Sequence, residues 1–361
     1  MYRKTHHLRL LIVIILMIAS MAVGILAGFF IFTTPKKITP PSPLVTTPPP
    51  PPIHTVDFIA VGDIMLSRNV ARHAEKSGRS GWIWENMRSF LGSADFVFGN
   101  LEWPTNGTEK YSYQKVLNFN ALPHLIRELP GVNFAVLSLA NNHALDQGDA
   151  GLATTQQLLS DIGIQYVGSG ATLEDAWQPK IIEKNGIKIA FIGASYAAYN
   201  DNGTGTNPKI ARMQNTKYLI AAVQKAKLEA DFVVVTMHAG TEYTREPTKL
   251  QTSFSHAAID AGADIVFGAH PHWTQGIESY QGKYIFYSLG NFVFDQEFSP
   301  ETKNGLAVKV SLTKQEFTTT INHITFHPIL IENYGQPRLM SWEAKLKALA
   351  DIGQKEDILK I

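Results

Sequence analysis

Five short apolar runs in this sequence each lead to a side chain able to bind a metal ion or move a proton. VDFIAVG runs into Asp63, ADFVFGN stops just short of Glu102, and FAVLSLA precedes Asn141, Asn142 and His143. FVVVTM precedes His238, and ADIVFGA precedes His270 and His272. In an open α/β sheet the carboxyl ends of neighbouring strands share one crevice, so residues placed this way converge although far apart in the chain. One Asp, one Glu, the Asn pair and four His on a common rim describe a hydrolytic metal centre.

The sharpest motif is GAHPHWTQ, residues 268–275. His270 and His272 are two apart, so on a regular strand both imidazoles would share a face. Neutral imidazole suits Zn, Mn or Fe near neutral pH. Two exposed loop histidines are the plain alternative. Trp273, beside the pair, is a candidate substrate contact. His238 opens the polar loop AGTEYTRE, in which Glu242 is either a partner orienting a histidine or an ordinary solvated acid. In Asn141-Asn142-His143, an Asn oxygen can ligate a divalent ion, and His143 can protonate a leaving group with Asp146 fixing its tautomer. The same residues also suit a turn that caps a helix starting near Gly148. Asp63 sits past a glycine expected to end a strand. Glu102 lies in a loop enforced by Pro104 and can bridge two cations, while Asn100 is a further ligand or a turn former.

Alternating apolar runs and helical patterns position these residues. Strands are expected near 55–61, 95–100, 132–139, 164–168, 187–194, 231–237 and 263–268, and helices near 147–161, 216–229 and 248–261. That alternation predicts an α/β fold with helices on the sheet faces. A hairpin is expected around Gln281-Gly282, strand-like alternation over 305–331, and a terminal helix within 341–361. Nothing divides 55–340 into two domains.

Ahead of this domain, residues 10–34 carry no charge and are long enough to cross the roughly 30 Å hydrocarbon layer. Cleaved signal peptides have a shorter apolar region of about 7–15 residues, so a retained signal anchor is expected. Arg3, Lys4 and Arg9 precede it and Lys36 and Lys37 follow it. The positive-inside rule then places residues 1–9 in the cytoplasm and the bulk of the chain outside, on a single-pass anchor in the cell membrane. The proline-rich stretch 35–54 reads as a semi-rigid polyproline II spacer.

The net charge of +1 conceals an asymmetry, because no acidic residue occurs before Asp57. Without the five basic residues of the N-terminal segment, 27 basic residues face 31 acidic ones. A slightly acidic domain has no basic face for nucleic acid. The absence of cysteine excludes thiolate metal sites, disulfides and cysteine nucleophiles.

GDIM, GNLEWP, LANNHALDQG, HAGTEY, GAHPHWTQ and YSLGNFVFD, in that order, resemble the motif set of the CapA-type capsule-synthesis proteins, associated with poly-γ-glutamate capsules. That family is similar in turn to the calcineurin-like metallophosphoesterases, a four-layer α/β/β/α sandwich around a dinuclear site. The resemblance spans roughly residues 55–295. It implies that Asp63 and His272 serve one metal, that Asn142, His238 and His270 serve the second, and that Glu102 lies at the bridging position. His143 would be the acid, with Asp146 behind it, and Asn100, Glu242, Trp273 and Asn291 would lie in the surrounding shell. Two departures stand out: Met65 occupies the place of a usual histidine, and the usual bridging Asp is replaced, with Glu102 the nearest candidate. Thioether is a poor ligand for Mn, Zn or Mg.

The resemblance implies a membrane-anchored protein acting in synthesis, export or anchoring of a capsule or cell-envelope polymer, with one or two divalent ions. Its partners would be the anionic polymer and a polymer synthase complex. Hydrolysis or transfer at a phosphoester or amide bond fits such a centre, with the cation stabilising developing oxyanion charge. A non-catalytic scaffold that holds polymer carboxylates beside the synthase is the alternative.

Overall fold

The computed structural model describes residues 4–32, 51–110, 118–196 and 207–353. Two units are distinct, Met1–Pro50 and Pro51–Ile361. In the first, Lys4–Phe32 is one helix, whose span His6–Gly28 is long and apolar enough to cross a membrane, a test that a signal sequence also meets. The helix begins before the expected residue 10, and Thr33–Pro50, with most of the proline-rich stretch, lie outside the described residues.

The second unit has fourteen strands among its described residues. In chain order they are β1 (Ile53–Ile64), β2 (Phe96–Leu101), β3 (Phe134–Ser138), β4 (Gln165–Val167), β5 (Lys180–Lys184), β6 (Ile187–Tyr196) and β7 (Phe232–Ala239). Then follow β8 (Ile265–Ala269), β9 (Ile277–Tyr280), β10 (Lys283–Phe286), β11 (Asn291–Val293), β12 (Asn304–Gln315), β13 (Thr318–Glu332) and β14 (Gln336–Leu339). One sheet has the order β14-β13-β12-β1-β2-β3-β4, with β11 beside the end of β1, and the other the order β5-β6-β7-β8-β10-β9. β1 to β4 run parallel, as do β6, β7, β8 and β10, so each sheet sends several carboxyl ends the same way.

The strand sequences explain the layering. On β1, Val56, Phe58 and Ala60 face the space between the sheets, while Ile59 and Val61 face the outer helices. On β7, Phe232 and Val234 point inward, and Val233, Val235 and Met237 outward. Both faces are buried, which is why these strands read as unbroken apolar runs. Between the sheets, Phe58 stacks on Phe96 at 5.5 Å and Phe98 on Phe191 at 5.1 Å. Each such side chain contributes roughly 1.5–3 kcal/mol on burial. Helices Arg68–Ser77 and Gly148–Asp161 cover the outer face of the first sheet through Val70, Leu152 and Leu159. Helices Thr216–Glu229 and Lys249–Asp260 cover that of the second through Leu219, Val223, Phe254 and Ala258. This is the four-layer α/β/β/α sandwich expected above.

Several boundaries shift. Ile53 and His54, expected in the spacer, pair with Gln315 and Lys314 and so belong to β1. Asp63 lies within β1, which resumes after a register shift, and His238 lies within β7, where it pairs with Ser195 and Ala269. The hairpin turn at Gln281-Gly282 has φ +50° and +74°, as expected. The terminal helix is Trp342–Asp351; Leu349 and Ile352 close the inter-sheet core, and residues 354–361 lie outside the described residues.

Candidate metal centre

Asp63, Glu102, Asn142, His143, His238, His270 and His272 are all buried and converge on one rim. Asp63 ends up beside β2 and β11, whose Asn100 and Asn291 are its register partners. Asn100 donates through Nδ2 to Asp63 Oδ1 at 2.8 Å and lies 3.1 Å from His238 Nδ1. The His270 backbone N–H donates to Asp63 Oδ2 at 3.2 Å. Asn141, next to the expected ligand Asn142, braces the loops, donating to the Leu101 carbonyl at 2.7 Å and accepting the His143 N–H at 3.2 Å.

Glu102 is the centre of the arrangement. Its Oε1 lies 3.9 Å from Nε2 of each of three histidines, His143, His238 and His272. Neither carboxylate oxygen receives a hydrogen bond from a donor among the described residues, although both are buried. A buried, unsatisfied carboxylate costs several kcal/mol unless a cation or proton meets it. Burial, then the charge of Asp63, then that of Glu242 push its pKa well above the carboxylate range. A bound cation would reverse that shift.

The donors fall into two triads: Glu102, His238 and His270 in one, Asp63, Glu102 and His272 in the other. Within each, the ligand atoms lie within 4.8 Å of one another. Asn142 joins the first, its Oδ1 2.7 Å from His238 Nε2, which in turn is 3.1 Å from His270 Nδ1. Burial pushes His270 down to about 3, reinforced by His272, and burial with His270 lowers His238 well below its usual range. Both imidazoles are therefore neutral lone-pair donors at physiological pH, as metal ligation requires. The donor set, nitrogen and carboxylate oxygen without sulfur, fits Zn, Mn or Fe.

His270 and His272 depart from the strand geometry expected of them. β8 ends at Ala269, and both take positive φ, +96° and +58°. This turn sends them to different triads, their rings 6.1 Å apart, rather than to one strand face. Such backbone strain costs about 1–3 kcal/mol per residue and gathers at functional sites. Asn291 donates to the Thr302 carbonyl and Gln296 Oε1, so its own oxygen must accept Nδ1–H of His272, at 2.9 Å. That leaves His272 Nε2 as the inward lone pair.

His143 holds a different position. Its Nδ1 donates to Asp146 Oδ2 at 2.8 Å, an oxygen that also accepts the Phe119 N–H at 2.6 Å. Phe119 stacks on the imidazole at 4.0 Å, leaving Nε2 directed at Glu102. Met65 is buried, its sulfur accepting from Ser67 N–H at 3.2 Å and Oγ at 2.9 Å.

Trp273 packs under the Arg245 guanidinium at 5.4 Å, and its indole nitrogen is buried without an acceptor among the described residues. Glu242 acts on Glu102 by its charge and on Tyr243 by charge and a side-chain hydrogen bond, with no hydrogen bond to a histidine among the described contacts. Reasoning from sequence missed Tyr243, whose ring stacks on His272 at 6.0 Å, although HAGTEY contains it. It also missed Phe119, Phe294 and Arg68, of which only Phe294 lies within a quoted motif; Arg68 follows Asp63 by five positions.

The family model described as Bacterial capsule synthesis protein PGA_cap matches residues 57–296. The chain belongs to this family. This PGA_cap chain is 35% identical over 256 residues to the PGA biosynthesis protein CapA of Bacillus subtilis (strain 168), covering 70% of this chain and 67% of that one. To the capsule biosynthesis protein CapA of Bacillus anthracis it is 34% identical over 263 residues, covering 70% and 62%. The chain thus spans about two thirds or less of the length of these two relatives. Among solved structures, the calcineurin-like phosphoesterase YfkN from Bacillus subtilis aligns over 84% of this chain and 98% of its own, with TM-score 0.44 and 15% identity. Capsule-synthesis relatives, expected from the six motifs, are what the PGA_cap chain has.

Proposed function

We propose that this PGA_cap chain is a membrane-anchored, extracytoplasmic metal protein that acts on an anionic envelope polymer, poly-γ-glutamate by the names of its relatives, in its synthesis, export or anchoring beside a synthase complex. The supporting observation is Glu102: a buried carboxylate with no hydrogen-bond donor among the described residues, within 3.9 Å of three imidazole Nε2 atoms and shared by two candidate triads. Asp63, Glu102 and His272 would hold one divalent ion, and Glu102, Asn142, His238 and His270 the other. Bound there, such ions supply Lewis-acid polarisation of the scissile bond and charge for a developing oxyanion.

The chain's own residues do the rest. Asp146 fixes the His143 tautomer and stabilises its imidazolium, so Nε2 is the atom that gives a proton to a leaving group. Phe119 covers one face of that ring and keeps water from it. Asn100 and Asn291 orient Asp63, His238 and His272, so that the donors are set before a ligand arrives.

A second reading is a non-catalytic scaffold that binds polymer through its cation. It is favoured by the donor count at Asp63, where Met65 contributes no ligand because its sulfur is engaged by Ser67. Elemental analysis of the purified full-length protein, with assays on phosphoester and γ-glutamyl substrates, separates the two. The catalytic reading expects two ions per chain, and a rate that falls about 10²–10⁴-fold in His143→Ala with metal content retained. A rate that His143→Ala leaves unchanged sinks the catalytic role.

A further inference from the structure

Arg68 stands beside the metal centre and has no part in the chemistry proposed so far. It is the first residue of helix Arg68–Ser77, and its φ of +46° places it in the left-handed region. Its guanidinium lies 4.7 Å from the Phe119 ring centroid and 5.7 Å from that of Phe294. Phe119 stacks on His143 at 4.0 Å, and the Phe294 ring lies 4.7 Å from His272. The cation is therefore one aromatic ring away from the proposed proton donor and one ring away from a proposed metal ligand. Asp295 pairs with the guanidinium and also accepts the Asn69 N–H at 3.1 Å. The Arg68 side chain is 20% exposed, against 3% for Asp295.

A planar, permanently charged group held against two rings and pinned by a carboxylate has lost most of its conformational freedom before a ligand arrives. Such a fork is suited to two-point recognition of an oxyanion. We infer that Arg68 is the ligand-anchoring residue of this centre, taking a carboxylate or phosphate of the bound molecule and setting the preference for anionic ligands. The inference rests on the metal-centre reading given above. A poly-γ-glutamate chain would offer its free carboxylates to this anchor; a phosphoester would offer its phosphate.

The test is calorimetric titration of the metal-loaded full-length protein in detergent with a short oligo-γ-glutamate, its amidated counterpart and inorganic phosphate. Arg68→Ala is expected to weaken whichever anion binds the wild type by about tenfold or more with metal content retained, and to lower the melting temperature because the buried Asp295 loses its partner. Where the oligomer is that anion, the variant should also lose the discrimination between its acidic and amidated forms, a readout that a purely structural role would not move. Arg68→Lys keeps charge beside Asp295 but removes the planar fork; it is expected to lose about threefold. Oligomer binding identifies a carboxylate ligand. Arg68-dependent binding of phosphate alone supports the anchor while overturning the polymer reading. An Arg68→Ala affinity within twofold of the wild type overturns the anchor, as does a wild type that binds neither anion. Where Arg68→Ala does not fold, Arg68→Lys decides: reduced affinity with intact metal content supports the anchor, and wild-type affinity overturns it.

Discussion

At the scale of single residues, the centre is organised by amides as much as by ligands. Asn100 ties Asp63 to His238, Asn141 braces the β2 and β3 loops, and Asn291 fixes which nitrogen of His272 faces inward. Orienting groups of this kind are worth about 10–100-fold in metal affinity. Asn291→Ala is therefore expected to weaken the Asp63–Glu102–His272 site by about that factor and to leave the His238–His270 site filled. Metal titration followed by elemental analysis would show the stoichiometry fall from two ions towards one at limiting metal; equal loss from both sites would refute the separate role. The converging side chains were legible in the sequence as candidate ligands because Asp, Glu and His after apolar runs are chemically conspicuous. The aromatic and cationic wall was not, since Phe119, Tyr243 and Arg68 are unremarkable until the fold sets them against His143 and His272.

At the scale of elements, the strand ends converge only because backbones pass very close behind them. A Cβ at Gly62 would lie 1.8 Å from the Gly290 carbonyl oxygen, which accepts the Asp63 N–H at 3.0 Å. Gly268, before the histidine pair, is similarly confined, 2.0 Å from the Tyr287 carbonyl oxygen. Gly62→Ala should cost about 1–3 kcal/mol and displace Asp63 from β11. Gly276→Ala, where a Cβ meets nothing within 4 Å, should stay within about 0.5 kcal/mol of the wild type. Urea unfolding and metal content of the two variants check this; equal stability would show that the β1–β11 approach is not tight. The unbroken apolar runs made the central strands readable, since burial on both faces leaves no polar alternation to blur them. They concealed where the strands stop: Asp63 and His238 lie inside β1 and β7, held by pairing partners remote in the chain. The positive φ of His270 and His272 was hidden for the same reason, because a tertiary constraint overrides the preference of a non-glycine residue.

At the scale of the whole molecule, stability is expected to depend on pH through His327 on β13. Burial pushes it down to about 4, reinforced by the charges of Lys345 and Lys309, while its ring packs 4.6 Å from that of Phe90. Its folded pKa lies below the ordinary histidine value of about 6.5, so the unfolded chain binds the proton more readily. The stabilisation is complete above about 6.5 and is lost as pH falls through that range towards 4. Melting temperatures of His327→Gln should fall less steeply than those of the wild type over this window; parallel curves would assign the slope elsewhere. The long axis of β1 has a further consequence. Ile53, where the preceding chain joins the sheet, and Asp63, at the metal centre, occupy opposite ends of one strand. At about 3.3 Å per residue, roughly 33 Å separates them. β1 is thus a fixed spacer: one rigid strand, held by pairing on both sides, sets the distance between the point where the chain enters the sheet and the candidate metal-binding carboxylate.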